Sequence, residues 1–220
     1  MIKFIILFFY IFITGVFSVY CIFNKPKLFY FAKILPIIGL EVFLLFHIIT
    51  GGGATLFSIL VFIAVLIGMA GDIFIINAKT FVFGLVSFLI THIIYVVAFN
   101  QKSFAMNINN IVLALITLLS LAFVVFLTLV MVRGEDKPLI VPVWIYVVVI
   151  TLMIISSIGF TQYGKFKIPL FILASASFYI SDAVLAVKTF VSKKSEFLQI
   201  FILSFYYLAQ TLFVIGAVGL

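Results

Sequence analysis

Apolar residues in this chain come in long unbroken runs, cut by brief polar punctuation. Eight runs are long enough to cross a bilayer: 3–22, 29–49, 54–76, 81–99, 109–132, 139–160, 168–188 and 197–219. A spanning helix needs about 20 mostly apolar residues, because ~30 Å of hydrocarbon is crossed at 1.5 Å per residue. The connections are short, among them Asn24-Lys25-Pro26-Lys27, Gly51-Gly52-Gly53, Asn77 to Thr80, Asn100 to Ile108, Arg133 to Pro138, Thr161 to Lys167 and Thr189 to Glu196. None could house a soluble domain. Backbone groups dissolved in lipid must find their partners within the segment, which selects helices. A transmembrane barrel would alternate apolar and polar residues along each strand, and these runs do not. The pattern predicts an all-α polytopic membrane protein, with residues 1–220 forming one bundle of eight transmembrane helices. The first run carries one Lys near its start, and Gly15 to Tyr20 offers no small-x-small cleavage pattern, so it reads as a retained helix and not a secretory signal.

Composition sharpens this picture. Hydrophobic residues make up 67% of the chain, charged residues 9%, and 29 residues are Phe, against about 45–50% apolar and about 25% charged in a soluble domain. A cytosolic enzyme, a nucleic-acid-binding module and a disordered chain are excluded. The formal charge of +7 is then topology chemistry, and no nucleic-acid partner follows from it. Cys21 is the sole cysteine, so an internal disulfide is impossible. Lys25, Lys27, Lys79, Arg133, Lys137, Lys193 and Lys194 lie in the odd-numbered connections, with Lys33 and Lys188 close by; Lys3, Lys102, Lys165 and Lys167 lie on the opposite face. The larger group points to the cytoplasm, and both termini point outside. The Ile, Phe and Lys bias suggests an AT-rich bacterial genome and hence a bacterial inner membrane.

Charges within hydrocarbon cost several kcal/mol and ask for a reason. The candidates are Lys33 and Glu41 on the second run, Asp72 at the end of the third and Asp182 on the seventh. His47 and His92 add titratable nitrogens, and Tyr95, Tyr146, Tyr206, Tyr207 and Gln210 add neutral polarity. By helical rise, Lys33 and Asp72 lie roughly 6 Å from the cytoplasmic helix ends and Asp182 roughly 9 Å. Tyr146, Tyr207, Gln210 and His92 fall at roughly 10–20 Å. Six helices thus place polar groups in one half of the bilayer, which predicts a cavity entered from the cytoplasmic leaflet. Gly84, Phe88, His92 and Tyr95 form one stripe, and Ser175, Phe178 and Asp182 form another. Lys33 can snorkel to the headgroups, and Glu41, about 80° round the helix from it, needs another partner or a proton. His47 reads as structural.

A faint repeat relates the halves. Gly71-Asp72 runs on to Lys79-Thr80-Phe81-Val82, and Ser181-Asp182 runs on to Lys188-Thr189-Phe190-Val191. Two four-helix halves related by an axis along the membrane normal would set the aspartates opposite each other.

The chain has no Gly-x-Ser-x-Gly elbow, no His-Glu-x-x-His zinc motif and no glycine-rich nucleotide loop. No cofactor or metal is called for. What remains is a pair of carboxyls in a low-dielectric cavity, where one can hold a proton while the other holds a charge. Such a pair suits acid-labile ethers that break through an oxocarbenium ion. A small proton-coupled lipid or solute transporter and a non-catalytic lipid-binding protein use the same ingredients.

Lys33-Ile34-Leu35-Pro36, Gly71-Asp72, Phe83-Gly84 with Phe88, His92 and Tyr95, Pro142-Val143 followed by Tyr146 and Met153, Ser181-Asp182, and Tyr206-Tyr207 with Gln210 together resemble the YhhN-like lysoplasmalogenase family. The resemblance runs from the second helix to the eighth. It implies hydrolysis of the vinyl ether of a lysoplasmalogen to a fatty aldehyde and glycerophosphocholine or glycerophosphoethanolamine. The family's paired aspartates map onto Asp72 and Asp182. On that footing the substrate is a lysophospholipid drawn from the surrounding membrane lipids. Asp182, expected to be the deeper, would be the general acid; Asp72, nearer water, would stabilise the cation and take the proton of the incoming water. Lys33, Glu41, His92, Tyr95, Tyr146, Tyr206, Tyr207 and Gln210 would bind and orient substrate and water, with Lys33 a candidate phosphate contact.

Overall fold

The computed structural model describes residues 2–50, 54–77, 79–101, 109–133, 137–160, 168–192 and 195–219. Lys102, Lys165, Lys167, Lys193, Lys194 and Gly51 to Gly53, used above for orientation and punctuation, lie outside the described residues. The helices are α1 (Ile2–Asn24), α2 (Pro26–Ala32), α3 (Leu35–Ile49), α4 (Leu56–Phe74), α5 (Phe81–Phe99), α6 (Asn110–Val132), α7 (Ile140–Gly159), α8 (Ile168–Phe190) and α9 (Glu196–Val218), with a 3₁₀ turn over Lys137–Leu139 before α7. Taking α2 and α3 as one span, eight helices are long and apolar enough to cross a membrane. The chain is an all-α polytopic membrane protein. Several helices open on side-chain caps: Thr55 Oγ1 accepts from Ser58 N at 3.1 Å, Asn109 Oδ1 from Ile111 N at 2.8 Å and Ser195 Oγ from Leu198 N at 3.2 Å.

The second span departs from the expected single helix over 29–49. It starts at Pro26 and breaks at Lys33-Ile34. Pro36, near the start of α3, has no N–H to donate, and its ring clashes with the carbonyl four residues back. Carbonyls freed in a dry environment need partners from elsewhere in the protein, and they have them. Ser18 Oγ donates to Ala32 O at 2.7 Å, Tyr207 Oη to Lys33 O at 2.8 Å and Tyr10 Oη to Leu35 O at 2.9 Å. Two helices, α1 and α9, therefore hold the break open in a fixed shape.

The tightest pairs are α4 with α5 and α8 with α9, and α3 lies against α9 as α7 lies against α5. These pairings correspond under the shift of four spans that the repeated Asp and Lys-Thr-Phe-Val strings suggest. Small residues set the close approaches. A Cβ on Gly84 would meet Ile75 N at 2.8 Å, and one on Gly71 would meet Phe88 and Ser87 at 3.2 Å. In the second half Ser181, in the place of Gly71, donates to Ile202 O of α9 at 3.0 Å. Helix α9 is the most enclosed span, whereas α1 and α6 turn most of their surface outward. Their exposed faces carry Phe8, Phe12, Leu118 and Leu119, as a lipid-facing surface requires.

Candidate active site

Asp72 and Asp182, 110 positions apart in sequence, line one cavity of about 350 Å³. Its wall also includes Lys33, Lys188, Thr189, Gln199 and Tyr206. It lies where the end of α4 and the start of α5 meet the end of α8 and the start of α9, the end of the bundle that carries Lys79 and Lys188.

Asp72 is held by the broken span. Lys33 Nζ stands 2.9 Å from Asp72 Oδ1, and the Tyr206 hydroxyl of α9 faces the same carboxyl. Asp72 Oδ2 is buried without a hydrogen-bond partner. Two expectations change here. Lys33 does not snorkel; it is 4% exposed and its ammonium turns inward to the carboxylate. Asp72 was expected nearer water than Asp182, yet it is 1% exposed and Asp182 is 9% exposed. Counting rise along a helix measures axial depth alone. Asp72 is almost fully buried at a cavity that Phe29, Phe88 and Tyr206, from three other helices, also line.

Asp182 is held by a ring nitrogen and a phenol. His92 Nε2 of α5 lies 2.8 Å from Asp182 Oδ2, and the Tyr146 hydroxyl of α7 donates to the same oxygen. Tyr146 Oη also lies 3.0 Å from His92 Nε2. Because Oδ2 accepts, the ring proton belongs on Nε2, and Nδ1 is left buried without a partner. Phe178 packs edge-on to the His92 ring at 4.6 Å between centroids, fixing its plane. With both donors on Oδ2, the second oxygen of Asp182 is the one free for the cavity.

A second cavity, of about 230 Å³, runs between α5, α6, α7 and α8. Its wall is almost wholly apolar, with Leu85, Leu89, Leu127, Val143, Ile150 and Ala186 among its residues. Phe81, Asp182, Leu185 and Thr189 line both cavities. Asp182 thus stands on the seam between a polar chamber and an apolar groove.

The two carboxyl environments correspond. Asp72 on the third span is met by Lys33 from the second and Tyr206 from the eighth. Asp182 on the seventh span is met by Tyr146 from the sixth and His92 from the fourth. Span for span the frameworks match, while the partner chemistry differs: one carboxyl meets a lysine ammonium and a phenol, the other a phenol and an imidazole.

The remaining sequence candidates lie deeper in the bundle. Tyr95 Oη donates to Gln210 Oε1 at 2.8 Å, with both residues buried, and neither lines the two cavities. Glu41 is 7% exposed, has no hydrogen-bond partner for either oxygen, and interacts electrostatically with Tyr95. Tyr207 is engaged by the backbone of the broken span. His47, half-buried near the end of α3, is remote in sequence from every cavity-lining position. Sequence reasoning missed Gln199, and used Lys188 for orientation and for the repeat but not for the site; the advance signal was the Lys-Thr string shared by the two halves. Among the described residues no group of three His, Cys, Asp or Glu side chains could hold a metal ion.

No curated relative and no solved structure matches the chain. A family model, described as the YhhN family, matches residues 28–217. That stretch includes the break in the second span, both carboxyls and every residue that lines the polar cavity. The YhhN family includes lysoplasmalogenases, and this chain belongs to the YhhN family.

Proposed function

We propose that the protein is a lysoplasmalogenase, hydrolysing the vinyl ether of a single-chain alkenyl glycerophospholipid to a fatty aldehyde and the glycerophospho-alcohol. The observation that carries this reading is the position of Asp182 on the seam of the two cavities. A lysoplasmalogen has the same division: an apolar alkenyl chain, a polar glycerophosphate, and the scissile bond between them. With the chain in the groove and the glycerol in the polar chamber, the vinyl ether comes to the one carboxyl that both spaces share.

The unequal carboxyls support a division of labour. Lys33 gives Asp72 a counter-charge that no group gives Asp182 in kind, and the anionic role is assigned to Asp72 on that ground. Asp182 meets a phenol and a ring nitrogen in place of a lysine and is the group that takes and returns a proton. Asp182 gives its proton to the β-carbon of the vinyl ether, leaving an oxocarbenium ion whose charge is shared between the α-carbon and the ether oxygen. Asp72 stabilises that cation across the chamber. Water adds to the α-carbon and loses its proton to a carboxylate. The resulting hemiacetal collapses as its hydroxyl proton leaves and the glycerol oxygen is protonated, releasing aldehyde and alcohol. This keeps Asp182 as the acid for a reason other than depth.

Under this reading the polar chamber opens to the cytoplasmic leaflet of a bacterial inner membrane, in line with the lysine distribution. The deciding experiment reconstitutes purified protein in liposomes and measures aldehyde release from lysoplasmenylethanolamine. Wild type is expected to release aldehyde, and Asp72→Asn and Asp182→Asn to lose it while folded. No release by wild type, together with a proton-coupled transport signal that both substitutions abolish, would replace the enzyme with a transporter.

A further inference from the structure

We infer that Lys188 and Gln199 form the site for the phosphate of the lipid headgroup. The inference rests on the lysolipid reading and adds to it the group that recognises the headgroup. Lys33, the obvious cation of the chamber, is already neutralised by Asp72. Lys188 is different. Half-buried on α8, it donates to Gln199 Oε1 of α9, and among the described residues no carboxylate lies within ion-pair reach of it. It also feels the charge of Lys33. Two ammonium groups therefore face one chamber, and one of them has no counter-ion.

The Gln199 amide is oriented by this contact. Its oxygen accepts from Lys188, which leaves the N–H end of the amide free of that contact on a residue that lines the chamber. Lys188 has three donors and spends one on Gln199. The pair is thus a donor-only clamp with an uncompensated positive charge, which suits a phosphate oxygen and not a neutral hydroxyl. Position agrees. Lys188 lies six residues beyond Asp182 on α8, about 9 Å along the axis. That is the reach of a glycerol backbone and its phosphate from the first alkenyl carbons. The phosphate would then sit at the lysine-bearing end of the bundle, with the chain running back into the groove.

The test measures binding, not turnover, in detergent-solubilised full-length protein. The probes are an alkyl lysophosphatidylethanolamine with a saturated ether, the matching 1-alkylglycerol without phosphate, and glycerophosphoethanolamine without a chain. Wild type is expected to bind the alkyl lysophospholipid at least about tenfold more tightly than the alkylglycerol, the value of one charge-assisted contact. Lys188→Ala should erase that gap without changing alkylglycerol affinity. Gln199→Glu, which gives Lys188 a counter-ion, should erase it as well, and Lys188→Arg should keep most of it. Should Lys188→Ala fail to fold, the other two variants carry the comparison. A gap that survives Gln199→Glu or Lys188→Ala, or no gap in wild type, overturns the assignment. Glycerophosphoethanolamine binding as tightly as the lipid overturns the lipid as its source. Because the ligands are uncleavable, absent aldehyde release would sink the hydrolase reading without deciding this one.

Discussion

Lys33 Nζ reaches Asp72 Oδ1 at 2.9 Å from a different span, and it does so from the residue at which that span breaks. The pair is almost completely removed from solvent, with side-chain exposures of 6% and 1%. Deleting one partner of a buried pair strands the other charge and typically costs about 3–5 kcal/mol. Lys33→Met is therefore expected to lower stability strongly, and the double variant Lys33→Met with Asp72→Asn to recover part of the loss. Thermal unfolding of the purified variants in one detergent measures both.

Tyr207 provides a second test, because its hydroxyl is committed to Lys33 O. Tyr207→Phe leaves that carbonyl unpaired and should cost about 1–3 kcal/mol. The same substitution should move KM little, since Tyr207 lines neither cavity. A large rise in KM with unchanged stability would show that Tyr207 contacts substrate instead.

The donors on Asp182 should affect the chemical step. Loss of the acid itself in Asp182→Asn is expected to lower kcat about 100- to 10,000-fold, the range for a positioned acid or base. Tyr146→Phe and His92→Gln should each cost less and leave KM near wild type, because they act through the carboxyl. Steady-state kinetics on a soluble short-chain substrate would separate the effects.

Filling the apolar groove should change chain-length preference. Ala186→Phe places a ring among Leu127, Val143 and Val147 and is expected to raise KM for long alkenyl chains about tenfold more than for short ones. Equal effects on all lengths would place the chain elsewhere.

Packing at the start of α5 can be tested independently of function. A methyl at Gly84 would stand 2.8 Å from Ile75 N, a backbone atom that cannot move aside. Gly84→Ala should destabilise by about 1–3 kcal/mol, whereas Val97→Ala on the exposed face of the same helix should be nearly neutral.

Much of this architecture is legible in the bare chain. The eight spans follow from run length, and the carboxyl pair from the rarity of charge in apolar runs. Other features were hidden for identifiable reasons. Hydropathy treats 29–49 as continuous, since Lys33 and Pro36 are too few to interrupt it; the break depends on hydroxyls of Ser18, Tyr10 and Tyr207 that come from distant segments. The greater burial of Asp72 depends on how other helices pack around it, which axial counting does not see. The pairing of His92 and Tyr146 on one oxygen of Asp182 requires three helices to be packed before it can be seen. Lys188 looked like a topology marker, because a lysine at a helix end usually is one.

The crosswise support of the carboxyls has a consequence for ancestry and for engineering. Asp72 leans on the ninth helix and Asp182 on the fifth, so each half of the polypeptide completes the environment of the other. A four-span unit with this arrangement would need a second copy to complete the surroundings of its carboxyl. Severed between the fifth and sixth helices, the modern chain should yield two silent fragments that regain activity when produced together.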